Sequence, residues 1–454
     1  MMDSSVGPRP ITAGSAFSIF STTAGRLTSS TVSPITSSAA NRSEPARRGY
    51  DVFCGAPFLS PQLRVVLFTD SFNEANGLAT LSREFAAFAE HRQLPFCCVH
   101  AGAERRVSSR DSVITLELNR SWASFRLDRD LYCDPLLSRH RNWLIDRLLE
   151  FRPDLIHVTS PGDFGVLGFW ISKSLGIPLA ASWHTNLHQY ASERLQKVLS
   201  FLPRAVRAGT GAAAENLSLN AAMRFYRLAD FVLAPNAEMV DQLHRRTQKP
   251  ACLMAHGVDA GRFSPAWRKR TNGPCTIGYV GRLTPEKNLR WFRDLERDLL
   301  AAGQRDFRLL LVGDGSEYAW LKRNLQFGEL PGVLRGDSLA AAYADMDIFV
   351  FPSRTDTFGL AVLEAMASGV PVVVSPETGA RVQIQNGVAG FLAKDFTESV
   401  LRLMRNEALR HRMGVEARRF ACSRDWAAVF EALYQTYEAA LPKRDVRNRI
   451  KTKT

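Results

Sequence analysis

Phe351-Pro-Ser-Arg-Thr-Asp-Thr-Phe-Gly-Leu-Ala-Val-Leu-Glu-Ala-Met-Ala-Ser-Gly-Val-Pro371 reads as a strand, a loop and a helix in succession. The strand ends at Phe351, the loop carries Asp356, and the helix opens near Phe358-Gly359, leaving backbone amides free to face an anion. Glu364 stands five residues beyond Gly359, about 7.5 Å further along the axis at 1.5 Å per residue. That distance is comparable to the span from a nucleotide diphosphate to its ribose. A carboxylate there suits both hydroxyls of a ribose diol, and Asp356 at the mouth suits sugar hydroxyls. Taken alone, the two acids fit a purely structural role better, because a helix N-terminus favours negative charge.

Outward from this stretch, short β-branched runs alternate with amphipathic segments, the pattern of parallel α/β domains. A first series has strands from Arg64, at Ser112–Leu118, Leu155–Thr159, Pro178–Trp183 and Phe231–Ala234, with a helix over Ala79–Arg92. A second has strands at Thr276–Val280, Arg308–Val312, Ile348–Phe351 and Pro371–Val374. Its helices are expected over Lys287–Ala301, Tyr318–Leu325, Leu339–Ala344 and Phe358–Ser368. Two doubly wound domains facing across a cleft follow, with ligands at the carboxyl ends of the strands. The expected division is a Ser/Thr/Pro-rich disordered extension over 1–60, a first domain over 61–258, a second over 259–425, a helix over 426–442 and a basic tail over 443–454.

The second series places two cations beside the acids. Gly281-Arg282-Leu-Thr-Pro-Glu-Lys287-Asn288 follows a strand and leads into a helix, putting Arg282 and Lys287 at the carboxyl edge of the sheet. A unit charge about 4 Å from a phosphate contributes roughly 4 kcal/mol at an effective dielectric of 20, enough to matter for a departing diphosphate. Opposite, Asn76-Gly77 can offer an amide to phosphate from the first domain; in isolation it is a turn.

Composition narrows the classes. The chain has 454 residues and a formal charge of +13, with 45% hydrophobic and 23% charged residues. The first fifty residues hold a net three of those charges and Lys443–Thr454 a net five, leaving a body of plus five. A mildly basic body argues against a nucleic-acid binder, which shows a dense basic stripe. No apolar run nears the roughly 18 residues that cross a bilayer. Seven cysteines, at 54, 97, 98, 133, 252, 275 and 422, form no CxxC pair, which fits a reduced cytoplasmic protein without structural zinc. Asp345-Met-Asp347 spells DxD, but it sits where a helix runs into a buried strand and is rejected as a metal site.

The ordered set Asp70-Ser-Phe-Asn-Glu-Ala-Asn76-Gly77, Ser160-Pro-Gly162, Trp183-His184-Thr185-Asn186, His256-Gly257-Val258-Asp259, Arg282 with Lys287, and Asp356 with Glu364 resembles family 4 of the retaining glycosyltransferases. The resemblance covers about Arg64 to Tyr437 and implies the GT-B fold of two Rossmann-like domains. Within the family the chain looks most like bacterial lipid-directed members, the GDP-mannose-dependent mannosyltransferases and the sulfoquinovosyl-diacylglycerol synthases. The family usually has Glu at both ends of an E-x7-E motif, whereas this sequence has Asp356 at the first position, which shortens its reach.

What the resemblance implies is transfer of a hexose, with retention, from a GDP- or UDP-sugar without cofactor or metal. Glu364 would hold the ribose, Asp356 and the amides of Phe358, Gly359 and Leu360 the sugar and distal phosphate, and Arg282 and Lys287 the diphosphate. Gly77 would meet the phosphates from the other wall, His184 the transferring sugar, and Arg335, beside Leu334 and Gly336, the base. The implied partners are a nucleotide sugar and a lipid acceptor at the inner membrane surface, with no nucleic acid, and the implied location is cytoplasmic and peripheral to the membrane. The oligomeric state is left open. A basic amphipathic stretch over 193–207, with Leu195, Val198, Leu199 and Leu202 on one face, suits anionic lipid or packing on its own domain. A soluble sugar or polysaccharide acceptor, or a catalytically silent nucleotide-sugar binder, remains an alternative at this point.

Overall fold

Each strongly apolar run of the sequence becomes a strand buried on both faces, as parallel sheets covered by helices require. The computed structural model describes residues 63–74, 76–128, 131–184 and 216–441. The extension over 1–60, Thr185 and Asn186, the basic stretch over 193–207 and the tail over 443–454 lie outside the described residues. All the described residues fall in one compact unit.

The first sheet has eight strands: β1 Val65–Phe68, β2 Phe96–Gly102, β3 Arg106–Arg110, β4 Val113–Asn119, β7 Leu155–Val158, β8 Leu179–Ser182, β9 Phe231–Ala234 and β10 Ala251–Leu253. A separate hairpin pairs β5 Phe125–Asp128 with β6 Leu131–Cys133. The sheet order is β10-β9-β8-β7-β1-β2-β4-β3, parallel except for β3, which runs antiparallel to β4. The second sheet is wholly parallel in the order β13-β12-β11-β14-β15-β16, from β11 Cys275–Val280, β12 Phe307–Val312, β13 Gly328–Gly332, β14 Ile348–Phe351, β15 Val372–Val374 and β16 Gly390–Leu392. The winding reverses between β1 and β7 in one sheet and between β11 and β14 in the other. These reversals are where α/β sheets open a crevice for ligands, so the loops after β1, β7, β11 and β14 are the ones that carry chemistry.

Several strands escape the sequence pattern for a physical reason. β3 is exposed along its length, and β13, Gly-Glu-Leu-Pro-Gly, is an edge strand that tolerates proline and glycine. The helix expected over Lys287–Ala301 is corrected by the structure: a single 3-10 turn, Pro285–Lys287, is ended by Asn288 at φ 57°, and the α-helix starts at Trp291. Lys287 is thereby released from a helical path and faces the cleft. The helix expected from Phe358 runs Leu360–Ala367, so Glu364 is its fifth residue.

The chain crosses between the sheets twice. It passes once through Met254–Val258 and returns before the helix Trp426–Ala440, and the two crossings touch where Val258 N donates to Arg424 O at 2.8 Å. That last helix belongs by packing to the first sheet: Phe430 stacks on Phe85 at 4.6 Å, with Leu433, Tyr434 and Tyr437 buried around it. Phe430→Ala should therefore destabilise the protein by about 3–5 kcal/mol. Denaturant unfolding checks this, and a loss below about 1 kcal/mol would mean that the helix is not anchored through this ring.

Candidate active site

The loops at the two reversal points converge on one cavity of about 1780 Å³. From the second sheet, the loop after β11 brings Arg282 and Lys287, and the loop after β14 brings Asp356. Lys287 is buried, and its Nζ donates to both carboxylate oxygens of Asp356, at 2.7 and 2.8 Å. Burial by itself would push the Asp356 carboxyl up, but the Lys287 ammonium, with Arg282 behind it, holds it below the usual carboxylate value. Arg282 lies 3.4 Å from Glu286. One acid and one cation assigned from sequence to different parts of a ligand thus meet each other in the cleft.

Beyond them Gly359, at φ 76°, turns the chain into the helix Leu360–Ala367. A side chain there would be strained by the left-handed backbone, and its Cβ would come within 2.7 Å of the Ala380 Cβ. Glu364 accepts a hydrogen bond from the Tyr343 hydroxyl at 2.7 Å, and burial pushes its carboxyl up to about 7. Across the cleft, Leu360 approaches the Cα of Gly77, the first residue of helix α1, Gly77–His91. The cavity is lined by Gly77, His184, Arg282, Lys287, Arg335, Asp356, Phe358, Gly359, Leu360 and Glu364, every residue singled out from sequence. Arg335 stands on the rim, exposed, at the start of the helix Gly336–Ala344.

Two further groups appear, in which Asp70 and His256 were quoted from sequence without a role and, of the rest, only His184 had one. Asp70, after β1, accepts from the Ser160 hydroxyl and from Phe164 N at 3.2 Å, and burial raises its carboxyl to about 6. Gly162 makes room for it, because a Cβ there would lie 2.6 Å from an Asp70 oxygen. Its place at the end of the central strand was the available signal. The second group is a buried hydrogen-bonded chain. Tyr437 OH meets His157 Nδ1 at 2.7 Å, His157 Nε2 meets Ser182 Oγ at 2.8 Å, Ser182 Oγ meets His184 Nε2 at 2.7 Å, and His184 Nδ1 meets His256 Nε2 at 3.1 Å.

The Tyr437 hydroxyl donates into the chain, because a buried O–H left without an acceptor is costly. Ser182 Oγ has a second outlet for its own proton in Val158 O at 3.4 Å, and His256 Nδ1 has no partner among the described residues. Both ring nitrogens of His184 are occupied in this chain, and its carbonyl accepts from Thr357 Oγ1 at 2.6 Å, tying the two domains together. Burial lowers His184 to about 4 and His157 to about 3, so both are neutral at physiological pH. Asp345-Met-Asp347 lies apart from the cavity; Asp347 is ion-paired with Arg268 at 2.7 Å and also with Arg270.

Residues 76–262 match the family model for glycosyltransferase family 4, and residues 274–406 that for glycosyl transferases group 1. A GDP-mannose-dependent alpha-mannosyltransferase of Mycolicibacterium smegmatis is 34% identical over 314 residues, which cover 67% of this chain and 78% of that protein. Sulfoquinovosyl transferase SQD2 of Arabidopsis thaliana is 32% identical over 329 residues, 66% of this chain and 59% of that protein. Among solved structures, sucrose-phosphate synthase of Thermosynechococcus elongatus aligns with a TM-score of 0.61 at 17% identity, over 83% of this chain and 100% of that one. HepE of Anabaena, solved with UDP and glucose, aligns at 0.60 and 16% identity, again over 83% and 100%. The last two likenesses show the two-domain GT-B fold alone.

The raised carboxyl of Glu364 has a measurable signature. A carboxyl that folding keeps protonated contributes stability that is fully present below its ordinary value of 4.5 and is lost as pH rises through about 7. Glu364→Gln cannot ionise. Relative to the parent protein it should unfold at a similar temperature near pH 4.5 and at a higher one above pH 7. Scanning calorimetry at both ends decides, and a difference independent of pH would show that Glu364 is not held protonated.

Proposed function

The chain belongs to glycosyltransferase family 4, and from that premise we propose that it moves a hexose, with retention, from a nucleotide diphosphate sugar to a lipid acceptor. The observation that carries the reading is the Lys287–Asp356 pair with Arg282 beside it, facing the amides at the start of Leu360–Ala367. A diphosphate laid there meets two cations and a helix N-terminus. Glu364 receives the ribose hydroxyls, the Gly359 and Leu360 amides the distal phosphate, Gly77 the phosphates from the opposite wall, and Arg335 the base. Asp356, close to Lys287, takes hydroxyls of the sugar. His184, held by Ser182 and His256, forms the wall against which the sugar rests.

The acceptor oxygen attacks the anomeric carbon on the face from which the phosphate oxygen departs. Its proton passes to that departing oxygen, so the nucleoside diphosphate leaves as the new glycosidic bond forms. The protein's part is positioning and charge stabilisation. GDP-mannose is the favoured donor, because a relative 34% identical over 67% of this chain is named for it. The supporting test is a thermal-shift panel of GDP-mannose, UDP-glucose and their nucleotides, followed by thin-layer detection of glycolipid. A donor that binds but never yields a glycoside would sink the reading.

Lys287→Ala should lower transfer by about 10²-fold or more and also destabilise the fold, since Asp356 is left as an uncompensated acid. Adding Asp356→Asn should restore the unfolding temperature without restoring transfer. Recovery of transfer in the double variant would remove Lys287 from the machinery. Transfer should also survive chelation, because side-chain cations neutralise the leaving group; a strict need for added manganese would contradict this.

A further inference from the structure

The cavity is larger than one substrate needs. Ligand pockets commonly enclose about 300–1,000 Å³, whereas this one holds about 1780 Å³. Its excess lies in the first domain, beyond Asp70 and Gly162, where it runs outward between helix α3, Asp163–Leu175, and the segment Tyr132–Arg141.

That outer end is apolar and open. Val166 and Trp170 lie one helical turn apart on α3 and line the cavity, yet they are 42% and 57% exposed. Pro135 and Leu137 line it from the facing segment. Nearby in the chain are Leu136, Phe125 at 50% and Trp122 at 92% exposure. Large apolar side chains gathered at a rim mark a contact site.

The rim is also built rigidly. Asp134, buried, accepts from Ser121 N at 2.6 Å, from Leu136 N at 3.0 Å and from Arg139 at 3.1 Å, and its own N–H donates to Asp163 at the start of α3. Through its carboxylate and its backbone N–H together, this one residue ties the Trp122 loop and the lining segment to the helix that carries Trp170. Residues 105–141 contain eight Arg against five acids, with Arg106, Arg110 and Arg139 ion-paired to Glu117, Glu90 and Asp134. Arg120 and Arg126 lie over the Tyr132 ring at 4.7 and 5.3 Å. Arginine combined with an exposed Trp and a half-buried Tyr is the composition of a surface resting on anionic headgroups, with rings at the depth of the interface.

We propose that this outer end of the cleft receives the apolar tail of the lipid acceptor, drawn partway from an anionic leaflet on which the Trp122–Arg126 rim rests. The tail lies between Val166–Trp170 and Pro135–Leu137, and the acceptor headgroup points inward past Gly162 toward Asp70. This rests on the lipid-acceptor reading above and narrows the acceptor's place, within the first domain that the sequence reading had given to the acceptor, to one end of the cleft.

The test is flotation with vesicles of phosphatidylcholine, with and without phosphatidylglycerol, comparing the full chain with the Val166→Asp/Trp170→Asp variant. The parent should float with the anionic vesicles and weaken in salt. The variant should lose about tenfold or more of the bound fraction while keeping the parent's unfolding temperature and its thermal shift with GDP or UDP. Equal flotation of variant and parent, or parent flotation equally strong on pure phosphatidylcholine, overturns the proposal. Transfer to lipid dispersed in detergent separates it from the reading beneath. If both proteins make glycolipid equally and float equally, the surface is wrong and the acceptor class right. If neither makes glycolipid but only the variant fails to float, the membrane face stands and the acceptor class falls.

Discussion

The arrangement of the cleft depends on one buried ion pair. A lysine ammonium withdrawn from water costs several kcal/mol unless an opposite charge and hydrogen bonds replace its hydration. Asp356 supplies both, with two oxygens at 2.7 and 2.8 Å from Lys287. The pair pins the loops on either side of the β11/β14 reversal, and the Asp356 carbonyl in turn accepts from Gly379 N at 2.7 Å. On the proposed reading, a diphosphate arriving there would meet a cation that is already balanced. Its gain is the difference between two anions' hold on Lys287, which suits a product that has to leave again.

The first domain answers with neutral chemistry. Its reversal point presents a protonation-prone Asp70 and a file of uncharged imidazoles, and their donors and acceptors are nearly all consumed internally. At the two reversal points, then, the second domain presents an ion pair and the first these neutral polar groups, with the charged Glu74, Arg83, Glu84 and Arg141 further along the first-domain side.

How much of this was legible follows from the range of each interaction. The apolar strands, the glycine entry to Leu360–Ala367 and the spacing of Asp356 and Glu364 are local patterns, and they put the cleft and most of its lining on the page. Lys287 was legible as a residue but not in its geometry, because the positive φ of Asn288 breaks an otherwise helical run. The imidazole file joins positions 25, 72 and 280 residues apart in sequence, and nothing in local periodicity can pair them. The apolar outer cleft escaped notice for a related reason. Val166 and Trp170 lie on a helix, and only the fold shows that its apolar side is left uncovered there.

The two adjacent crossings between the sheets carry a mechanical consequence. Two rigid bodies joined by one flexible strand can swivel about any axis, but two strands fastened side by side, here through Val258 and Arg424, behave as the leaves of a hinge pin. A rigid rotation of one sheet against the other would be confined to the line the crossings define, and along that arc the separation of Gly77 and Leu360 would be the quantity that changes.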